Sequence, residues 1–206
     1  MLLPDGRRID FDTDEFGFEV DIVSDFGDTA RVYLEEGGLE RAFAVLDWDG
    51  VPLKNELPDE EKNLGLAVEW LDEDGRRINP ATLKQGATFW GHFRVSNPGA
   101  TRSIEEIALA QLLPSGWEIE NTRLAGDKPP PWMKNWKLGR EEYVDLRDEG
   151  AVFFFDLNGR NAALDFALKL NAVTPGAFTL PPTTVEAMYD RNYRARRGGG
   201  RVAVEQ

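Results

Sequence analysis

Catalytic chemistry in this 206-residue chain has little to draw on: one histidine, His92, and no cysteine. With no thiol there is no disulfide, no Cys-ligated zinc and no cysteine nucleophile. His92 lies between Trp90 and Arg94 on a strand-like run, where it reads as a polar residue on an outer strand face. A Ser-His-Asp triad would need His92 as its base, and no Gly-x-Ser-x-Gly elbow accompanies it. The acid pairs Glu105-Glu106 and Glu141-Glu142 are adjacent in sequence. On strands such neighbours point to opposite faces, so neither forms the facing carboxylates of a glycosidase. Five arginines, Arg191, Arg194, Arg196, Arg197 and Arg201, gather around three glycines and read as a solvated connection rather than an anion site. Two aromatic features remain. Trp132 and Trp136 in a Pro-rich loop would be an exposed interaction patch or a plug over the open end of a sandwich. Met188 and Tyr189 close a strand candidate, and two adjacent large residues cannot share one strand face.

The elements that would carry these residues are strands. Leu164, Phe166, Leu168 and Leu170 alternate with Asp165, Ala167, Lys169 and Asn171, the period of a half-buried strand. Phe89, Gly91, Phe93 and Val95 alternate in the same way with Trp90, His92 and Arg94. Ile107 to Leu113 and Val152 to Leu157 are nearly continuous apolar runs, expected at a sheet centre. Leu66 to Leu71, Trp117 to Asn121, Phe178 to Leu180, Val185 to Tyr189 and Arg201 to Val204 complete the strand candidates of this part. Turn residues separate them: Asp72 to Arg77, Asn97-Pro98-Gly99, Pro114-Ser115-Gly116 and Pro175-Gly176. Residues 124–142, with Pro129-Pro130-Pro131, break the rhythm as a long irregular loop. Upstream, Arg8 to Phe11, Phe16 to Val23, Ala30 to Glu35 and Ala42 to Trp48 are short strands, too few for a full sandwich.

Composition agrees with a folded, acidic module. Twenty-two aromatic residues and 41% apolar content exclude a disordered tail. The net charge of −13 is uneven: residues 1–62 hold 18 acids and 6 bases (−12), and residues 63–206 hold 19 and 18 (−1). That step marks a boundary, with Lys54 to Asn63 as a polar linker. An acidic surface disfavours nucleic acid, and no apolar run approaches the length of a membrane span. Met1-Leu2-Leu3-Pro4-Asp5 lacks the basic and apolar pattern of a signal peptide, as an excised piece also would.

Three ordered blocks carry a family resemblance. They are Leu112 to Asn121; Tyr143 to Glu149 with Val152 to Leu157; and Ala172 to Gly176, Phe178 to Pro182 and Glu186 to Asp190. Together they resemble the terminal macroglobulin-like domain of bacterial alpha-2-macroglobulins. The resemblance implies an all-β chain: an antiparallel macroglobulin-like (fibronectin-III-like) β-sandwich of about seven strands over residues 66–206. Before it would stand strands of an incomplete or smaller β domain. Residues 1–52 resemble the closing strands of a CUB-like domain, leaving through Val45 to Pro52, with 53–65 as linker or loop.

In that family a thioester in another domain acylates an attacking protease after a bait is cut. The resemblance implies a non-catalytic C-terminal module of such a protease trap, not an enzyme, with no cofactor and no metal. Its implied site is Met188 and Tyr189, which would pack on the thioester domain of the same parent and keep water from it. Implied partners are that domain, target proteases reached through the parent, and a penicillin-binding peptidoglycan synthase. The implied location is the periplasm, with the parent a lipoprotein at the inner membrane. The competing reading is a stand-alone β-sandwich adhesin or carbohydrate-binding module, for which Trp132 and Trp136 would stack sugars.

Overall fold

A computed structural model describes residues 57–99, 103–120, 129–138, 143–159 and 162–206. The expected CUB-like strands of residues 1–52, and the pair Glu141-Glu142, lie outside the described residues.

Strands dominate. They are β1 (Glu60–Lys62), β2 (Gly65–Leu71), β3 (Thr82–Lys84), β4 (Thr88–Ser96), β5 (Ile104–Leu112), β6 (Trp117–Glu120), β7 (Tyr143–Arg147) and β8 (Gly150–Leu157). After them come β9 (Ala163–Ala172), β10 (Gly176–Leu180), β11 (Thr183–Ala187), β12 (Asp190–Arg197) and β13 (Gly200–Glu205). The only helical piece among the described residues is a 3-10 turn at Pro131–Asn135. A six-stranded sheet runs β1-β12-β11-β5-β8-β7, a four-stranded sheet β2-β4-β9-β6, and a three-stranded sheet β10-β13-β3. Pairing is antiparallel except between β13 and β3.

Inward-facing side chains follow the alternation. Phe89, Phe93 and Val95 of β4 and Phe166, Leu168 and Leu170 of β9 turn one face into the core. Ile107 and Leu109 of β5, Phe153 and Phe155 of β8, and Val185 of β11 meet them from the six-stranded sheet. Phe166 touches both β8 rings across the gap, with centroids 5.1 Å from Phe153 and 4.5 Å from Phe155. This is the expected sandwich. The apolar run at β5 does occupy a sheet centre, its outward Ala108 and Ala110 small and half-buried.

The strand number exceeds about seven, partly because two charged segments are strands. Residues 57–65 of the expected linker include β1, whose Glu60 pairs with Arg196 and Lys62 with Arg194. The arginine cluster is therefore no solvated connection. Arg194 donates to Glu60 at 2.7 Å, Arg197 pairs with Glu61, and Gly198 N–H donates to Asp59 at 2.8 Å. Only Ala195 of β12 is fully buried, so the strand is held by pairing and ions more than by an apolar stripe. A charged β1 at the sheet edge also discourages a foreign strand from adding there.

At the far edge of the other sheet, Lys169 donates to Glu120 at 2.7 Å and Asn171 at 3.3 Å. The Lys169 hydrogen bond holds the Glu120 carboxyl below its usual range, against partial burial, which pushes it up. A carboxyl depressed by folding stabilises above its unfolded value, about 4.3, and that gain is lost as pH falls through the folded value. Urea unfolding of Glu120→Gln should therefore show its deficit at pH 7, and the gap to wild type should narrow as acid protonates the folded carboxyl.

Candidate functional site

The β11–β12 hairpin sets Met188 and Tyr189. Along β11, Val185 and Ala187 are buried while Thr184 and Glu186 are exposed. The strand stops at Ala187, because Ala187 pairs with Asp190 and leaves Met188-Tyr189 as the turn. Asp190 Oδ1 accepts from the Asn192 backbone N–H and side-chain amide, both at 3.0 Å, a local bond that favours turning. One step along β11, from Glu186 to Ala187, faces four along β12, from Arg194 to Asp190. The surplus residues Arg191, Asn192 and Tyr193 form a bulge, which Asn63 ties down by donating to the Asn192 carbonyl at 3.0 Å. Tyr189 is therefore not a buried strand residue. It is 87% exposed, Met188 is 40% exposed, and neither belongs to the core.

The tip is docked at one backbone point. Met188 N–H donates to the Glu106 carbonyl at 2.9 Å. Glu106 sits in a second bulge, where Ile104 pairs with Leu157 but Ile107 with Phe155. Nothing in the sequence announces this bulge; the apolar run that marks the strand begins only at Ile107.

Trp132 and Trp136 do something else. They neither stand free nor plug the sandwich end; with Met133 they lie as a strap across the outer face of the four-stranded sheet. Met133 is buried against Leu71 and Trp90, with Trp132, Trp136 and Ala167 packed around them. Trp132 meets Trp90 edge-on at 5.9 Å and Trp136 at 5.3 Å. Its indole N–H donates to the Glu73 carbonyl at 2.9 Å. Gly75, at φ 81°, leaves the ring room: a Cβ there would stand 2.6 Å from it.

Trp136 stacks on His92 at 3.8 Å and 14°, so the histidine is buried under the strap. His92 Nε2 lies 2.9 Å from Asp165 Oδ1 and Nδ1 3.5 Å from Glu69, the latter short of a hydrogen bond. Asp165 also accepts from Arg94 at 3.0 Å and from Lys137 N–H at 2.9 Å. These groups latch the strap to the sheet. Among the described residues no three His, Asp or Glu side chains are arranged to hold a metal. The alternation of the sequence puts His92, Arg94 and Asp165 on outward strand positions, so part of the cluster is legible there. What covers them is not.

Comparison with known proteins supplies the family. The model for the bacterial alpha-2-macroglobulin MG10 domain matches residues 64–192. An alpha-2-macroglobulin of Xylella fastidiosa is 30% identical over 169 residues, covering 78% of this chain and 10% of the relative. Salmonella alpha-2-macroglobulin reacted with methylamine superposes with a TM-score of 0.65 at 26% identity, over 76% of this chain and 10% of that one. The native conformation of Escherichia coli alpha-2-macroglobulin gives 0.66 at 23% identity, with the same coverage. This chain spans about a tenth of the length of the curated relatives it matches. Its sequence and its sandwich together make it a member of the bacterial alpha-2-macroglobulin family.

Proposed function

We propose that this module is the non-catalytic shield of a protease trap: its Met188–Tyr189 tip packs on the thioester domain of the parent and excludes water from the activated acyl group. The observation that carries the reading is the exposure of Tyr189, 87%, on a hairpin anchored by two bulges. A tyrosine buries ~150–250 Å² when it docks, and full burial of a large apolar side chain is worth roughly 1.5–3 kcal/mol before ordering costs. Inside this module it buries almost none of that. The flexible thioether of Met188 suits filling an irregular gap beside it. An acyl-thiol survives only where water is kept out, and the Salmonella relative reacts with methylamine, a primary amine of the kind that opens a thioester.

The half-buried, sheet-bound Trp132 and Trp136 weigh against the sugar-binding alternative. A periplasmic lipoprotein parent, its target proteases and a neighbouring penicillin-binding peptidoglycan synthase belong to the same reading and rest on family likeness.

The test restores the chain to a parent that carries the thioester domain. Tyr189→Ala and Met188→Ala should speed methylamine uptake and free-thiol appearance without any protease. In the isolated chain Tyr189→Ala should shift stability by no more than about 0.5 kcal/mol. Unchanged uptake with the fold intact would leave the tip a plain hairpin end.

A further inference from the structure

Glu106 is one of two non-glycine residues with positive φ among the described residues, at 54°. A left-handed conformation strains a side-chain-bearing residue and persists only where the surroundings impose it. Here the imposing contact is identifiable. Asp156, on the neighbouring β8, accepts the Glu106 backbone N–H at 2.8 Å through Oδ1. Its position on β8 lies between Phe155 and Leu157, where the two residues Glu105 and Glu106 of β5 stand opposite this one. The carboxylate therefore fills the place a ladder carbonyl would have taken. With the N–H so held, the Glu106 carbonyl turns toward β11, where it accepts from Met188 N–H at 2.9 Å. The chain of contacts runs from the Asp156 side chain through one strained peptide to the first residue of the exposed tip. Bulges of this kind bend a strand and re-aim its side chains.

We propose that Asp156 is the positioning residue of the Met188–Tyr189 tip, acting through the left-handed Glu106 backbone to fix the direction in which the two side chains leave the sheet. The proposal rests on the shielding reading for its consequence, but its geometric part stands on these contacts alone. A tip held at one backbone point presents Met188 and Tyr189 in one pose. Without that point the hairpin end swings about the last β11–β5 pair, Ala187 with Ile107.

Amide hydrogen exchange in the full 206-residue chain tests the geometry. Asp156→Ala should raise exchange at Met188 at least tenfold while Leu109 and Val185 stay protected. Asp156→Asn, which keeps an acceptor oxygen, should stay near wild type. Adding Glu106→Gly to Asp156→Ala should recover part of the protection, since glycine adopts the left-handed backbone without strain. If Leu109 and Val185 lose protection as well, Asp156 is a general sheet residue and the proposal fails. Unchanged exchange at Met188 would also overturn it.

In the parent, Asp156→Ala should then accelerate methylamine uptake about as much as Tyr189→Ala does. If Tyr189→Ala accelerates uptake and Asp156→Ala does not, the positioning is refuted while the shield stands. If Tyr189→Ala has no effect, the shield itself is refuted, and exchange at Met188 still decides the role of Asp156.

Discussion

Trp117→Ala should cost about 3–5 kcal/mol, the range for deleting a large aromatic from a packed core. Trp117 is the largest fully buried side chain among the described residues. It meets Trp70 at 5.2 Å and Phe89 at 4.8 Å, both edge-to-face. β6, which carries it, is a four-residue strand at the sheet edge with one neighbour, β9. Trp117 is the one buried residue of β6, so its truncation removes that strand's main hold on the core. Against the roughly 5–15 kcal/mol typical of a domain, such a loss takes a third or more. Equilibrium urea unfolding reads it directly. Trp117→Phe separates packing from polarity: its indole N–H has no hydrogen-bond partner, so replacing it removes an unsatisfied donor along with some volume. The phenylalanine variant should therefore lose less than half as much. A cost below about 1 kcal/mol for Trp117→Ala would contradict the core as described.

The second large effect belongs to Asp165, which is 1% exposed. Asp165→Ala removes the acceptor for Arg94, for Lys137 N–H and for His92 Nε2 in one step. Arg94 reaches solvent, so its charge is not stranded; its side chain is 46% exposed. His92 is in a worse position, buried with neither ring nitrogen hydrogen-bonded once Asp165 is gone. Removing one partner of a buried pair costs about 3–5 kcal/mol, and the exposure of Arg94 places this case near the lower end. The spectroscopic signature should be local. With the strap unlatched, Trp132 and Trp136 gain water, so emission shifts to the red and near-ultraviolet dichroism weakens before global unfolding. Asp165→Asn keeps the shape and one acceptor oxygen, and should lie between the two. Thermal melts followed by both signals would show whether the strap leaves first.

Much of this fold is legible in side-chain rhythm. β4 and β9 alternate cleanly, and their pairing in register, Phe93 opposite Phe166, lets the two stripes face one core. β12 is hidden because its rhythm is written in charge. Four of its eight residues are arginines, and their partners Glu60 and Glu61 lie more than 130 residues earlier, beyond any local pattern. The strap is hidden for a related reason. Trp132 and Trp136 stand out as unusual, yet only the tertiary fold brings them over His92 and Asp165. Met188 and Tyr189 can be picked out by resemblance, whereas their exposure comes from where β11 ends. Ala187 closes its pairing with Asp190 across a two-residue turn, a matter of register that composition does not encode. Glu106 is the least legible, since backbone handedness leaves no trace in a Glu-Glu dipeptide.

The pairing of β1 with β12 has a consequence in time. Glu60 waits for Arg194, 134 residues later, before it finds its partner. On a ribosome making about 5–20 residues each second, β1 is exposed for seconds before β12 emerges. Long-range closures of this sort place all-β domains among the slow folders, at milliseconds to seconds. The acids of β1 thus serve the nascent chain as well as the finished one: they keep an unpaired strand soluble until its arginines are made.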